Sequence, residues 1–387
     1  METLRGVTWD HVRGFGPLEA TALEYGRLRP EVSVIWERRS LQALADFPVE
    51  RLAETYDLVM LDHPWVGAIA SGDSLVALDS CMPEDFLDGL AEDAVGPSFR
   101  SYQYGDHLWA LPVDAAAQVS AHSRDLAGEL PTTWDDVLVF AEECARGSVG
   151  RVGMPLIPVD AFCAFATLCA SHGEVPFAGP ALGVSEETGH AVLDWMRRLV
   201  WLADERSLTW NPPTMLEEMS CYGQICYVPL LFGYSNYSRE GFRPRLVDFA
   251  DIPVTAAGGS PEGAIIGGVG LGISRRCQHL TAAADYAMYV ASPAVQASTY
   301  FAAGGQPASA AAWADDGVNE QAGQFFRNTR LTLWAGQVRP RHAGFIKFQD
   351  ECGRLVHECL VERSDVEKAL TGINELWARR GTRSPNT

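Results

Sequence analysis

The chain has 387 residues, 47% hydrophobic and 21% charged, with 50 acidic against 30 basic side chains and a formal charge of −20. At ~150 residues per domain this length predicts two domains of ordinary globular composition. The acidity argues against nucleic acid or an anionic membrane surface as a partner, since phosphate binding draws on clustered Lys and Arg, and no stretch approaches the ~18 consecutive apolar residues of a membrane span.

Residues 4–8 form a short β-rich run that passes directly into Trp9, Asp10 and His11. Residues 17–28 follow with Leu18, Ala22, Tyr25 and Leu28 at helical spacing, then residues 32–36 predict a second strand. Residues 57–61 predict a third strand, continuously apolar after Asp57 as a strand covered on both faces is, and lead into Asp62, His63 and Trp65. Alternating strands and helices predict a mostly parallel sheet and an α/β class.

Around Pro112 the pattern changes: an apolar run over 108–111 stops and a second restarts over 115–121, with Asp114 between them. One backbone leaving one sheet and entering another is the reading that fits, so this stretch predicts a hinge. Thr133 is a good helix N-cap with Asp136 three residues on, opening a helix that runs to Gly147. Val192, Leu193, Met196, Leu199 and Val200 lie on one face of an amphipathic helix over 188–203. A strand over 225–231 follows, and the chain is expected to return to the first domain near 251–253, with a strand over 264–274 and a helix over 281–290. A third crossing is expected near 308–315, before helices over 321–333 and 345–360.

The nine cysteines are odd in number and mostly lie in apolar helical contexts, as buried thiols of a reducing compartment do. No Cys-x-x-Cys pair occurs, and Cys277-x-His279 and His357-x-Cys359 are too short for a zinc site, so neither metal nor cofactor is expected. Phosphate-loop, dinucleotide and nucleophile-elbow signatures are missing as well. Glu2, Arg5, Asp10, His11 and Arg13 interrupt every candidate apolar run near the start, so no export signal is visible. The expected location is cytoplasmic if this is the full-length product, and periplasmic if a signal was removed.

Several motifs together resemble one family. Residues 105–114, Gly-Asp-His-Leu-Trp-Ala-Leu-Pro-Val-Asp, are similar to the interlobe crossover of the carbohydrate-type solute-binding proteins of ABC importers. Pro131 to Asp135 resembles that family's Pro-x-Thr-Trp-Asp helix start, Leu231 to Asn236 its aromatic cleft segment, Gly267 to Ser274 its glycine-rich strand, Gly304 to Pro307 its Gly-Gly-x-Pro turn and Val338 to Arg341 its Arg-Pro segment. The resemblance implies a two-lobed type II periplasmic-binding-protein-like clamshell with discontinuous lobes and a multi-segment hinge. It sets lobe 1 at 1–112 and 252–309 and lobe 2 at 113–251 and 310–387. It implies a monomer that closes over a sugar-like small molecule without chemistry, and an ABC permease as partner if exported.

The candidate ligand contacts follow from loops at the carboxyl ends of strands, where α/β proteins bind. Trp9, Asp10 and His11 form one loop, and Asp62, His63 and Trp65 the other. Carboxylates accept bonds from hydroxyls while a flat ring covers the less polar face of a sugar. Each has a structural alternative, the indoles as core and the carboxylates as helix caps. The family likeness adds Phe232, Tyr234 and Asn236 in the second lobe, Asp114 at the hinge, Gly268 in the glycine-rich strand and Arg339 near the end. Ala115-Ala116-Ala117 and His122-Ser123 depart from the family pattern and remove hydrogen-bond partners, which suits a smaller or less hydroxylated ligand. Extra histidines at 11, 63, 122 and 342, with Arg339 and Arg341, suit an acidic one. The alternative is an enzyme on the same fold, as in thiaminase I, with Cys81, Cys221 or Cys226 as nucleophile, although none shows a recognisable His or Glu partner at short range.

Overall fold

The computed structural model describes residues 1–40, 48–126, 129–147, 150–179, 183–362 and 365–380. The strands among them are, in chain order, β1 (Glu2–Trp9), β2 (Val32–Arg39), β3 (Leu58–Leu61), β4 (Gln103–Tyr104), β5 (His107–Leu108), β6 (Leu111–Pro112), β7 (Ala116–Ser123), β8 (Arg151–Val152), β9 (Ile225–Phe232), β10 (Val247–Ala250), β11 (Ile266–Gly267) and β12 (Gly270–Ile273). The chain divides into two units: Met1–Ala116 with Ile266–Gln321 and Arg341–Ala343, and Ala117–Ile265 with Ala322–Pro340 and Gly344–Thr387. Both units are therefore discontinuous in sequence.

The first unit is built on a sheet of order β2-β1-β3-β12-β6. β1 runs parallel to both β2 and β3, while β12 is antiparallel to β3 and β6. Every residue of β3 is buried, as the unbroken apolar run requires of a strand with both faces covered. The helix Val12–Leu28 sends Leu18 and Tyr25 into this core. There Tyr286, from the helix Leu280–Ala291, receives the Trp36 indole N–H at 3.1 Å and donates to the Leu18 carbonyl at 3.2 Å, so a buried hydroxyl is satisfied on both sides.

The helix begins five residues earlier than its apolar spacing suggests. Its start is set by His11, whose Nδ1 accepts the Arg13 amide at 3.1 Å, and Pro17 is accommodated inside it. The expected single strand over 264–274 is two short strands instead, because Gly268 between them takes a φ of 99° that no ladder residue adopts.

The second unit carries a sheet of order β10-β7-β9-β8, with β7 antiparallel to β10 and β9 and β8 parallel to β9. The helix Pro158–Ser171 is apolar nearly all round and accordingly buried, packed by the helices Glu186–Leu202 and Phe345–Glu362. Phe162 stacks on Phe177 with centroids 5.7 Å apart, and Phe348 and Trp377 meet these rings edge-on or tilted, with the Phe177–Phe348 centroids 4.9 Å apart. Thr133 and Asp136 form the reciprocal capping box ahead of Trp134–Arg146 that their spacing predicts. The expected helix over 321–333 starts later and is broken into two short helices, Phe325–Asn328 and Arg330–Trp334: Gln324, left-handed at φ 64°, stands ahead of the first, and Thr329, at φ −115° and ψ 5°, leaves helical geometry between them.

Candidate binding site

In the first unit the register of β1 on β3, Gly6 opposite Leu58 and Val7 opposite Val59, brings the carboxyl ends of both strands to one edge of the sheet. The loops that follow carry Asp10 and His11 from β1, and Asp62, His63 and Trp65 from β3. Trp9 itself is buried, its ring packed against Gly14, where a Cβ would have no room. Asp10 is exposed and is not the helix cap, because His11 fills that role.

Asp62 precedes a single 3-10 turn, His63–Trp65, and its side chain makes no capping bond to it. Its Oδ1 instead lies 3.1 Å from the Nδ1 of His63, an imidazole removed entirely from water. The Asp62 side chain keeps 40% of its surface exposed, so a buried ring lies beside a carboxylate that still faces solvent. Trp65 is half-buried.

Tyr102 joins this edge without having been singled out from the sequence. Its hydroxyl reaches the carbonyls of Leu61, at 3.4 Å, and Gly268, at 3.3 Å, and its ring stands edge-on to His63 with centroids 6.3 Å apart. The signal available in the sequence was only its place just ahead of the Gly-Asp-His-Leu-Trp run. Gly268 lies against the Asp114 carbonyl so tightly that no side chain fits there.

Asp114 sits in the same unit but is committed elsewhere. Arg13 donates to it through Nε at 2.7 Å and Nη2 at 2.6 Å, and both side chains are buried. Burial pushes the Asp114 carboxyl upward, and the guanidinium pulls it back toward the charged form. Arg341 is likewise engaged, donating to the carbonyls of Arg100, at 2.6 Å, Ser101 and Gln103.

In the second unit Phe232 ends β9 half-buried, and Tyr234 and Asn236 open and occupy the turn Ser235–Ser238, both buried. Tyr237 stands edge-on to Tyr234 at 6.5 Å and donates its hydroxyl to Glu217 at 2.9 Å. Arg243 binds the same carboxylate through Nε at 2.8 Å and lies 4.2 Å over the ring of Phe242. Burial alone raises the Glu217 carboxyl, but Arg243 and Tyr237 outweigh it and hold the group below its ordinary range. This aromatic segment is thus braced by a carboxylate that sequence reasoning missed, because Glu217 and Arg243 are 26 residues apart.

Arg339 is buried beside the helix Pro158–Ser171 and donates to Gln349 at 3.0 Å. Its charge also acts on Asp160, a buried carboxyl in that helix's first turn whose pKa burial pushes up to about 8.

The candidate nucleophiles fare differently from one another. Cys81 and Cys226 have their thiols raised by burial, Cys226 to about 12, which is opposite to what a nucleophile needs. Cys221 does have an acidic partner one helical turn away, Glu217 Oε2 at 3.5 Å, but Arg243 and Tyr237 already occupy that carboxylate. Among the described residues no group of three or more His, Cys, Asp or Glu is arranged to hold a metal ion, and no helix is long and apolar enough to cross a membrane.

Residues 50–323 match the model of the family described as bacterial extracellular solute-binding protein. A maltotriose-binding protein of Pyrococcus abyssi (strain GE5 / Orsay) is 24% identical over 125 residues, which is 32% of this chain and only 27% of that protein's length. Among solved structures, T. maritima MalE3 with maltose bound is similar at a TM-score of 0.80 and 19% identity, covering 98% of this chain and 100% of its own. An ABC transporter solute-binding protein of Agrobacterium radiobacter K84, in complex with ribitol, is similar at a TM-score of 0.80 and 20% identity over 98% of each chain. The fold is that of the type II periplasmic binding proteins.

Proposed function

This chain belongs to the bacterial extracellular solute-binding proteins, and we propose that it binds a neutral sugar or polyol without chemistry, drawing candidate contacts from each unit. The observation that carries the reading is the pair of loops that follow two adjacent parallel strands of the first unit, one carrying Asp10 and His11 and the other Asp62, His63 and Trp65. Carboxylate oxygens for hydroxyls and a half-buried indole for a sugar face are the chemistry such a ligand needs. Tyr234, braced through Tyr237, is the contact we assign to the second unit. Maltose and ribitol in the similar structures support the same ligand class.

A neutral ligand is favoured over an acidic one because the two arginines considered for it, Arg339 and Arg341, are engaged, as is Arg13. Arg13 is bound to Asp114, Arg339 to Gln349 and Arg341 to three backbone carbonyls. An anion would have to displace Arg13 from a buried carboxylate, at a cost of several kcal/mol, and Arg339 from the buried Gln349. Delivery to an ABC permease outside the cytoplasm completes the proposal and rests on the family alone.

The test is thermal unfolding of the protein with millimolar maltose, ribitol or gluconate. A rise in melting temperature with maltose or ribitol but not gluconate is expected. A rise with gluconate alone contradicts the neutral-ligand reading, and none with any probe contradicts this ligand class.

A further inference from the structure

Cys144, in the last turn of the helix Trp134–Arg146, and Cys226, the second residue of β9, bring their sulfurs to 3.9 Å inside the second unit. Both residues are buried, at 6% and 3% exposure, so the contact is sealed by packing rather than made by two surface groups drifting together. A disulfide has its sulfurs ~2.05 Å apart, so forming one asks them to approach by about 2 Å. A shift of that size is within the reach of rotation about the two Cα–Cβ bonds. The surroundings admit it: Gly150 lies against Cys226, where a Cβ would come within 2.9 Å of the Cys226 Cβ, and the Arg151 carbonyl orients the Cys226 thiol at 3.4 Å.

We propose that Cys144 and Cys226 are joined as a disulfide when the chain folds in an oxidising compartment, tying the helix Trp134–Arg146 to β9. The oxidant is a small-molecule or protein disulfide, for which glutathione disulfide serves as the probe. One cysteine thiolate attacks it, forming a mixed disulfide and expelling one glutathione thiolate. The second cysteine thiolate then attacks the protein sulfur of that mixed disulfide and expels the other glutathione. Two electrons pass from the cysteine pair to the oxidant, and two thiol protons end on two reduced glutathione molecules.

Burial raises both thiols in the folded unit, so few thiolates exist there to react. The bond is therefore made during folding, before the helix closes over β9, and forms slowly once the unit is packed. Extracellular proteins meet an oxidising environment as they fold. Cys169 and Cys352 lie near enough for one to feel the other's charge, so the pairing has to be read residue by residue.

The experiment unfolds and reduces the full chain, refolds it in a glutathione redox buffer or in dithiothreitol, blocks free thiols with N-ethylmaleimide, and maps the peptides by mass spectrometry. The glutathione sample is expected to yield the Cys144 and Cys226 peptides linked and two hydrogens lighter, and to melt roughly 5 °C above the dithiothreitol sample. The variant C144A/C226A is expected to melt alike in both buffers. Both peptides recovered fully alkylated from the glutathione sample, or a link at Cys169–Cys352 in their place, overturns the proposal. The peptide map is made on the native sequence, so it decides the matter even if the double variant fails to fold.

Discussion

Arg13 and Asp114, 101 residues apart, face each other as a fork on a carboxylate, with Nε–Oδ2 at 2.7 Å and Nη2–Oδ1 at 2.6 Å. Their side chains are only 4% and 0% exposed, so each is the other's replacement for water. Removing one leaves a buried charge with nothing to neutralise it, which costs about 3–5 kcal/mol. Asp114→Ala and Arg13→Met are each expected to lose that much in urea unfolding followed by tryptophan fluorescence. Arg13→Met with Asp114→Leu should recover most of it. Losses below about 1 kcal/mol for both single variants would mean the pair is not the anchor its geometry makes it.

Gly268 provides an independent check on the same region. Its φ of 99° is unfavourable for any residue with a Cβ, and that Cβ would collide with the Asp114 carbonyl and lie 2.9 Å from the Ala115 Cα. Neither neighbour is a flexible side-chain end, so relaxation means moving backbone. Gly268→Ala is expected to destabilise by about 2 kcal/mol or more, read as a lower melting temperature. An unchanged melt would show that the β11 to β12 connection is looser than described.

Asp160 predicts a dependence on pH. Its folded pKa, pushed up to about 8 by burial and only partly offset by Arg339, lies above that of the unfolded chain. The folded form therefore holds a proton that the unfolded form has released. Its contribution is fully present below the unfolded pKa near 4 and is lost as pH rises through about 8. Asp160→Asn keeps the neutral shape at every pH. Its stability advantage over the native chain should grow between pH 5 and pH 8, by on the order of 4 kcal/mol at most. Urea midpoints of both proteins at the two pH values decide it, and a gap that is constant or shrinks with pH contradicts the assignment.

How much of this was legible in the sequence depends on how local the cause is. Thr133 and Asp136 cap a helix through atoms three residues apart, so the motif and the structure coincide. The apolar run at Leu58–Leu61 announces a covered strand because burial on both faces leaves no polar alternation. The glycine-rich stretch over 264–274 misled, since apolar residues on either side conceal a left-handed Gly268 imposed by packing on Asp114. Partners distant along the chain were invisible for the same reason. Nothing near Asp114 names Arg13, nothing near Tyr234 names Glu217, and Asp160 gives no hint in its Pro-Val-Asp context that Arg339 lies within electrostatic reach. Asp62 and His63 could be proposed from their place after a strand, but Tyr102 needed the fold to bring it there.

The central claim is tested most directly by isothermal titration of maltose and of ribitol into the native protein, Asp62→Ala and Tyr234→Ala, each variant first shown to melt cooperatively without ligand. The account predicts saturable binding of at least one of the two by the native chain, weakened about tenfold or more, some 1.4 kcal/mol, by each substitution although the two residues belong to different units. Binding that is indifferent to both substitutions, or absent for both compounds, would contradict it.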